Sequence, residues 1–215
     1  MKIFLDTADT SIIQKHFATG LIDGITTNPT LIKKSGRDPL EVYQELKDLG
    51  ISDISMEVVG DADEMITEGK GLYDTFGDCC TVKVPCSPDG LRACKELSDL
   101  NIRVNVTLIF SQTQAILASK AGATYVSPFV GRVDDNSHNG VELIAQISAL
   151  YNQQMIRTEV LAASLRDVPS VSKCFGVGAD IVTMPPAVFE KMYNHILTDK
   201  GLELFQADWE SVHNT

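Results

Sequence analysis

The sequence predicts an α/β protein folded as a single (β/α)8 TIM barrel with an additional C-terminal helix. Short β-branched segments that end in a polar residue recur eight times, and a helix-like segment follows each of them. No linker, low-complexity stretch or shift in composition divides the 215 residues. A doubly wound open sheet is the alternative, but eight short strands of similar length without an obvious edge strand favour closure. We therefore assign residues 1–215 to one domain.

The strands are predicted from apolar, β-branched runs that are long enough to cross a barrel and are bounded by polar residues, glycine or proline. The first run, for example, is Ile3-Phe4-Leu5 and stops at Asp6. Buried parallel strands have this near-continuous apolar character. The eight predicted strands are 3–6, 24–28, 53–58, 81–85, 103–108, 123–127, 159–164 and 180–184.

The helices between them are predicted from capping residues and from apolar residues that recur on one helical face. Asp38, Pro39 and Glu41 supply an N-cap, a proline at the first helical position and an acid at the third, and Gly50 marks the end of that helix. The stretch 132–139 is polar and is predicted as a loop. The eight predicted helices are 10–19, 38–50, 61–76, 87–100, 111–122, 140–152, 170–175 and 186–197.

Residues after Lys200 predict a ninth helix, at about 200–213, which the barrel does not need. This segment includes Phe205 and Trp209. An extra amphipathic helix with exposed aromatic side chains is typical of contact with a neighbouring subunit. Folding back onto its own barrel is the alternative.

Composition excludes some classes of partner. A net charge of −11 argues against nucleic acid or an anionic membrane surface as a general partner. It permits a small anionic substrate, because a few arginines in one cleft override the global field locally. No apolar run reaches membrane-spanning length, and an acid at position 6 interrupts the segment where a signal peptide needs an apolar core. We therefore expect a cytoplasmic protein.

Cysteine and histidine spacing indicates neither a disulfide framework nor a metal site. The five cysteines include no C-x-x-C pair, and the four histidines are scattered along the chain. We expect no metal and no organic cofactor.

Lys83 is the residue of the sequence that most needs an explanation. It lies within Thr81-Val82-Lys83-Val84-Pro85, an apolar run that is predicted as a buried strand. Buried strands seldom contain an ammonium group, and desolvation favours the neutral, nucleophilic form of an amine. This is the chemistry of a Schiff-base lysine. A lysine that extends to water from a strand end is the alternative.

Other polar residues also fall at the predicted carboxyl ends of the strands, where barrel enzymes hold their active sites. Any one of them has a structural alternative as a helix cap or turn residue. A set of acids, arginines and a lysine at one rim has no shared structural purpose, and this favours a catalytic role for Lys83. The set is Asp6, Thr26, Asn28, Glu57, Lys83, Asn105, Thr107, Ser127, Arg132, Ser164 and Arg166.

Six motifs in order along almost the whole chain resemble the transaldolase family. The combination is highly specific, although each motif alone is weak. In length the chain is similar to the short, single-barrel branch that also contains fructose-6-phosphate aldolase. The motifs are Leu5-Asp6-Thr7-Ala8, Thr26-Thr27-Asn28-Pro29, Val82-Lys83-Val84-Pro85, Asn105-Val106-Thr107-Leu108, Ser127-Pro128-Phe129-Val130-Gly131-Arg132 and Ala163-Ser164-Leu165-Arg166.

The resemblance implies catalytic roles for four residues. Lys83 is expected to form the Schiff base, and Asp6 to act as acid and base at the hydroxyl whose deprotonation breaks the carbon–carbon bond. Glu57 is expected to act as acid and base together with Thr107, through a water molecule. The resemblance implies Asn28, Asn105 and Ser127 around a dihydroxyacetone unit and Arg132, Ser164 and Arg166 at the phosphate. Thr26 and Phe129 are also expected to be substrate-binding residues.

Two positions separate the branches that this chain resembles. The aldolases have glutamine where Glu57 stands and tyrosine where Phe129 stands, whereas the transferases have glutamate and phenylalanine. The chain has the transferase pair. It is therefore expected to transfer a dihydroxyacetone unit from sedoheptulose 7-phosphate or fructose 6-phosphate to glyceraldehyde 3-phosphate or erythrose 4-phosphate, within the pentose phosphate pathway.

Two other functions remain open from the sequence: a lyase that releases dihydroxyacetone, and a barrel that binds sugar phosphates without turning them over. A pure binding protein needs the arginines but has no use for an amine beside two acids. The resemblance also implies a homo-oligomer, a decamer or a pentamer, with C-terminal helices that cross between subunits.

Overall fold

The computed structural model describes residues 1–213 and shows a closed barrel of eight parallel strands. The strands follow one another around the barrel in chain order. This confirms the predicted fold class, and each observed strand overlaps a predicted one. The strands are β1 (Lys2–Asp6), β2 (Gly24–Thr26), β3 (Ile54–Glu57), β4 (Cys80–Pro85), β5 (Val104–Ile109), β6 (Tyr125–Pro128), β7 (Glu159–Ala162) and β8 (Ile181–Met184).

Helices occupy the outside of the barrel, and most of them begin at a residue whose side chain caps the first turn. The Asp38 carboxylate accepts hydrogen bonds from the backbone of Leu40 and Glu41, and Asp61 with Glu64 forms a capping box. Within residues 1–213 the helices are α1 (Thr10–Phe17), α2 (Pro29–Ser35), α3 (Pro39–Asp48), α4 (Ala62–Phe76), α5 (Pro88–Asp99), α6 (Gln112–Lys120), α7 (Val130–Asp135), α8 (Gly140–Gln153), α9 (Val168–Gly176), α10 (Pro186–Lys191) and α11 (Ile196–His213).

Helix α7 corrects the sequence prediction, because it occupies part of the stretch that is predicted as a polar loop. Its first turn buries Val130, and Val133 is buried one turn later. Tertiary packing of these two side chains stabilises a short helix that the polar sequence around them does not indicate.

Helix α2 is not among the eight helices that the sequence predicts. The Asn28 side chain caps its start, Pro29 occupies its first position, and Gly36 ends it with a left-handed backbone at φ +68°. These signals are present in the sequence, but the helix has no fully buried residue, and its apolar contact with the core is limited to the partly buried Leu31 and Ile32.

The end of the chain contains a break that the sequence prediction places differently. The predicted helix 186–197 stops at Lys191, and the C-terminal helix begins at Ile196 rather than at about residue 200. Val188 and Phe189 bury α10 against the core, whereas α11 has no buried residue. The chain leaves its own barrel at this break. No helix within residues 1–213 is both long and apolar enough to cross a membrane.

The strand register brings the predicted site residues to one level of the barrel. Glu57 on β3 pairs with Lys83 on β4, and Lys83 pairs with Asn105 on β5. Asp6 on β1 pairs with Thr26 on β2. Asp6, Thr26 and Glu57 are the last residues of their strands. Lys83 lies two residues before the end of β4, and Asn105, which was expected at a carboxyl end, is the second residue of β5.

A charged network closes the opposite end of the barrel. Asp53 is only 6% exposed, and its carboxylate accepts hydrogen bonds from Thr81, Arg103 and Tyr125. These partners belong to β4, β6 and the residue that precedes β5. The network therefore ties three strands and the start of β3 together at the end away from the predicted site.

Candidate active site

Lys83 is buried on β4, and both of its close partners are polar. Its Nζ lies 3.0 Å from Glu57 Oε2 and donates a 2.8 Å hydrogen bond to the backbone carbonyl of Thr27. The lysine side chain is 6% exposed and the glutamate side chain 14%. The lysine is therefore buried, as predicted, and the alternative in which it extends to water is wrong. The Glu57 carboxylate is close enough to exchange a proton with its Nζ.

Asp6 on β1 lines a cavity that Lys83 also lines, and the hydroxyl of Thr26 holds its carboxylate. Thr26 Oγ1 donates a 2.8 Å hydrogen bond to Asp6 Oδ1 and lies 2.7 Å from Thr183 Oγ1 on β8. Burial raises the pKa of the Asp6 carboxyl, while the Lys83 charge and the Thr26 hydrogen bond act in the opposite direction. A carboxyl with a raised pKa is suited to take up and return a proton.

A fully buried amide supports the wall on the β5 and β6 side. Ser127 Oγ donates a 2.7 Å hydrogen bond to Asn105 Oδ1, and Asn105 Nδ2 donates a 3.1 Å bond to Ser55 Oγ. Asn105 is 0% exposed and lies behind the cavity wall, whereas Ser127 lines the cavity. Asn105 therefore orients Ser127 in this structure.

Thr107 on β5 is the buried polar residue of the site with an unused hydroxyl. It lines the cavity and is 1% exposed. Within the described part of the chain its Oγ1 has no protein hydrogen-bond partner. Buried hydroxyl groups are normally satisfied, so this one is suited to bind a water molecule or a substrate oxygen.

Aromatic and cationic groups form the mouth of the site. The Phe129 ring packs edge-on against Phe110, with ring centroids 5.8 Å apart, and the Arg132 guanidinium lies 4.8 Å from the Phe129 centroid. The cavity has a volume of about 100 Å³, and Arg132 also lines a wider groove of about 540 Å³. The cavity is lined by Asp6, Thr26, Asn28, Lys83, Thr107, Ser127, Phe129, Arg132, Ala163, Ser164 and Thr183.

The two predicted phosphate-binding arginines are in different situations. Arg132 lines the cavity, but Arg166 is not part of that lining, and its guanidinium pairs with the Asp135 carboxylate through both nitrogens. Asp135 belongs to α7, the helix that the sequence does not predict, and this helix brings the carboxylate to Arg166. Arg166 nevertheless lies close to the mouth. Its Nε packs against Gly131, the residue before Arg132, so closely that a Cβ added to this glycine would lie 2.9 Å from it.

Comparisons with known proteins agree with this architecture. A family model described as Transaldolase/Fructose-6-phosphate aldolase matches residues 3–215. The chain belongs to the transaldolase/fructose-6-phosphate aldolase family. It is 52% identical over 216 residues to the probable transaldolase of Cereibacter sphaeroides strain ATCC 17025. This alignment covers 100% of the present chain and 98% of that relative.

Two further relatives of the transaldolase/fructose-6-phosphate aldolase family match to a similar degree. The probable transaldolase of Paracoccus denitrificans is 53% identical over 97% of this chain and 96% of its own length. The probable transaldolase of Caulobacter vibrioides is 53% identical over 99% of this chain and 98% of its own length.

Three polar groups of the site are not predicted from the sequence. They are the Thr183 hydroxyl, the Ser55 hydroxyl and the backbone carbonyl of Thr27. A serine or threonine inside an apolar strand is also an ordinary strand residue, and a backbone carbonyl leaves no mark on the sequence. The position of Thr183 in the last strand, near the level of the other polar residues, is the one available signal.

Proposed function

We propose that the protein is a transaldolase that transfers a dihydroxyacetone unit through a Schiff base on Lys83. The donor would be sedoheptulose 7-phosphate or fructose 6-phosphate, and the acceptor glyceraldehyde 3-phosphate or erythrose 4-phosphate. The observation that carries the proposal is the buried amine of Lys83, 3.0 Å from Glu57 Oε2 in a cavity that Asp6 also lines. A binding site for sugar phosphates alone has no need of this arrangement.

The first chemical stage is formation of the iminium. Glu57 accepts a proton from the Lys83 ammonium, and the neutral Nζ attacks the ketone carbon of the donor. Glu57 then returns a proton to the hydroxyl of the addition product, which leaves as water. The unused Thr107 hydroxyl is suited to be a second contact for that water.

The second stage breaks and makes carbon–carbon bonds. Asp6 removes the proton of the C4 hydroxyl, the C3–C4 bond breaks, and its electron pair moves into the iminium to give an enamine. An aldose phosphate leaves. The enamine carbon attacks the aldehyde of the acceptor, Asp6 returns the proton to the new alkoxide, and hydrolysis of the iminium frees Lys83.

Phosphate recognition is assigned to the mouth of the site. Arg132 offers a guanidinium at the boundary between the cavity and the wider groove, and Ser164, which also lines the cavity, adds a hydroxyl. A planar guanidinium bonds two phosphate oxygens at once. Arg166 is placed to assist after releasing Asp135.

The pair Glu57 and Phe129 supports transfer rather than release of the three-carbon unit. Phe129 lines the cavity and has no proton to give to the enamine, whereas a phenol at this position would be an acid in its own right. The rival activity is that of a fructose-6-phosphate aldolase. We also propose a cytoplasmic enzyme of the pentose phosphate pathway that acts as a homo-oligomer, with α11 as the contact between subunits.

The test measures release of glyceraldehyde 3-phosphate from fructose 6-phosphate, with and without erythrose 4-phosphate. Sustained release only in the presence of the acceptor supports a transaldolase. Equal release without the acceptor identifies a lyase. No release in either case, from folded protein, favours a barrel that only binds sugar phosphates.

The role of Lys83 is tested separately. Lys83→Met should be folded, inactive and unable to form an adduct with donor that borohydride traps. Lys2→Met is the matched control, because Lys2 is also a barrel lysine that pairs with a carboxylate, Glu159, but it lies at the other end of the barrel. Normal activity of Lys83→Met would remove the Schiff-base assignment.

A further inference from the structure

Three oxygen atoms from three strands form a continuous chain that ends at Asp6. Thr183 Oγ1 on β8 lies 2.7 Å from Thr26 Oγ1 on β2, which lies 2.8 Å from Asp6 Oδ1 on β1. Thr183 is 3% exposed and Thr26 is 2% exposed. Both distances are those of ordinary hydrogen bonds between oxygens.

The direction of these bonds follows from the number of available protons. A threonine hydroxyl has one proton, and an ionised carboxylate accepts but does not donate. When Thr26 donates to the Asp6 carboxylate, its own oxygen is left as an acceptor. The proton between Thr183 and Thr26 must then belong to Thr183.

The two carboxylate oxygens of Asp6 therefore differ in their hydrogen bonding. Within residues 1–213, Thr26 is the one side-chain hydrogen-bond donor to the Asp6 carboxylate, and it binds Oδ1. Oδ2 is left for a ligand. The charged groups that face this region are Lys83, with Glu57 beyond it, and Arg132 at the mouth.

We infer that Thr183 is a positioning residue for Asp6: its hydroxyl donates to Thr26, commits the Thr26 proton to Asp6 Oδ1, and so leaves Oδ2 for the substrate hydroxyl. The inference rests on the proposed function for its catalytic consequence, but not for the hydrogen-bond chain itself. When Asp6 has taken up the substrate proton on Oδ2, its Oδ1 still accepts the hydrogen bond from Thr26, so neither hydroxyl has to change direction. The pair thus serves both protonation states through which a catalytic acid and base must pass.

The first measurement is an infrared titration of the Asp6 carboxyl in folded protein without substrate, with Asp6→Asn as the spectroscopic reference. A donated hydrogen bond stabilises the carboxylate, and a chain of hydroxyls strengthens that donation. Thr183→Val removes the second hydroxyl at nearly constant shape and should raise the pKa of Asp6. Thr183→Ser should restore the wild-type titration. Thr183→Ala replaces Thr183→Val if the latter does not fold.

Two further variants separate positioning from a general structural effect. Thr81→Val is the matched control, because Thr81 is also a buried strand threonine that donates to an aspartate, Asp53, but at the far end of the barrel. It should leave the titration of Asp6 unchanged. In a Thr26→Val background, Thr183→Val should have no additional effect on Asp6, since the link between them is gone.

The second measurement is the pH profile of transfer. Thr183→Val should lower kcat about tenfold with little change in KM, and should move the acidic limb of kcat/KM to higher pH. An unchanged Asp6 titration in Thr183→Val, or a shift that persists in the Thr26→Val background, would overturn the inference. Failure of the wild-type protein to form a borohydride-trapped adduct would instead overturn the proposed function, because the infrared titration does not depend on turnover.

Discussion

Asp6 is the residue whose burial has a direct consequence for stability. Its carboxyl lies in the barrel mouth, where desolvation outweighs the attraction of Lys83 and the hydrogen bond from Thr26, so its pKa lies above the ordinary 3.8. In the unfolded chain the same group ionises near 3.8. The stability that Asp6 contributes is therefore fully present below that pH and is lost as the pH rises through the higher folded-state pKa.

Asp6→Asn should therefore unfold at a higher urea concentration than the wild type at pH 7, and the difference should narrow as the pH falls toward 4. The amide keeps an acceptor for Thr26 and removes the buried charge. Asp9 provides a comparison of opposite sign, because hydrogen bonds from the Ser11 side chain and the Ile12 backbone lower its pKa. Its contribution is lost at low pH instead. Equal midpoints for wild type and Asp6→Asn at every pH would contradict the expectation.

The two arginines near the mouth differ in what already binds them, and this predicts unequal roles. Arg132 lines the cavity, whereas Asp135 occupies both guanidinium nitrogens of Arg166. Arg132→Ala should raise the KM for fructose 6-phosphate at least tenfold, and Arg166→Ala only a few-fold, because Arg166 must first give up its carboxylate.

Steady-state kinetics with fructose 6-phosphate and with an unphosphorylated donor measure this difference. Arg92→Ala is the matched control, since Arg92 is an exposed arginine that pairs with Asp63 on the outer helices. A larger KM increase for Arg166→Ala than for Arg132→Ala would contradict the assignment. Equal losses on both donors would rule out a phosphate contact.

At the scale of single elements, the start of α5 is seated tightly on the end of β4. Ser87 caps the helix by accepting the backbone N–H of Gly90, and a Cβ at Gly90 would lie 2.0 Å from the carbonyl oxygen of Pro85. Pro85 is two residues from Lys83. The missing side chain of Gly90 thus helps to fix the strand end that holds the candidate nucleophile.

Gly90→Ala should lower the free energy of unfolding by about 1–3 kcal/mol and also reduce transfer activity, because backbone must move to relieve the overlap. Gly71→Ala is the matched control in α4, where an added Cβ meets nothing within 4 Å. This change should stabilise the protein by about 0.5–1 kcal/mol without loss of activity. Chemical denaturation and initial rates measure both effects. Wild-type stability of Gly90→Ala would contradict the tight seating.

The same scale shows how far sequence could predict the structure. Strand ends were predictable because a polar residue that stops an apolar run is visible in the chain, as with Asp6. The Thr183–Thr26 contact could not be predicted, because the partners are 157 residues apart and each is an ordinary strand residue. The Arg166–Asp135 ion pair could not be predicted either, because it depends on α7, a helix that is stabilised by packing rather than by its own sequence.

The charged floor of the barrel illustrates a further limit of prediction. Asp53 and Arg103 begin predicted strands, where a charged residue usually marks nothing more than the strand boundary. In the folded barrel Arg103 reaches Asp53 across β4, and the Tyr125 hydroxyl joins the same carboxylate. Only the closed curvature of the sheet brings these side chains together.

At the scale of the whole molecule, α11 is a helix whose side chains are not buried against the barrel. It has no buried residue, and Leu202, Leu204, Phe205 and Trp209 are each more than half exposed. Apolar patches of this kind mark interaction sites. This supports the proposal that α11 contacts a second copy of the chain.

Phe205→Glu with Trp209→Glu should shift the assembly toward the 23.4 kDa monomer while the barrel stays folded. Sedimentation velocity measures the mass, and the masses of a pentamer and a decamer distinguish the two proposed rings. Lys200→Glu is the control, because Lys200 is an exposed residue of the same helix and its replacement changes charge without removing apolar surface. A wild-type protein that sediments as a monomer would end the proposal.

The barrel closes where β1 meets β8, at four paired positions from Lys2 with Ile181 to Leu5 with Met184. Asp6 and Thr183 stand on the two sides of this seam, with Thr26 joining them from β2. During synthesis the ribosome delivers Lys83 and Asp6 long before the last strand emerges. A nascent chain that ends before β8 therefore possesses the candidate nucleophile but lacks both the seam and the Thr183 hydroxyl. The proposed transfer activity should therefore require finished chains, and prematurely terminated products should not compete with them for sugar phosphates.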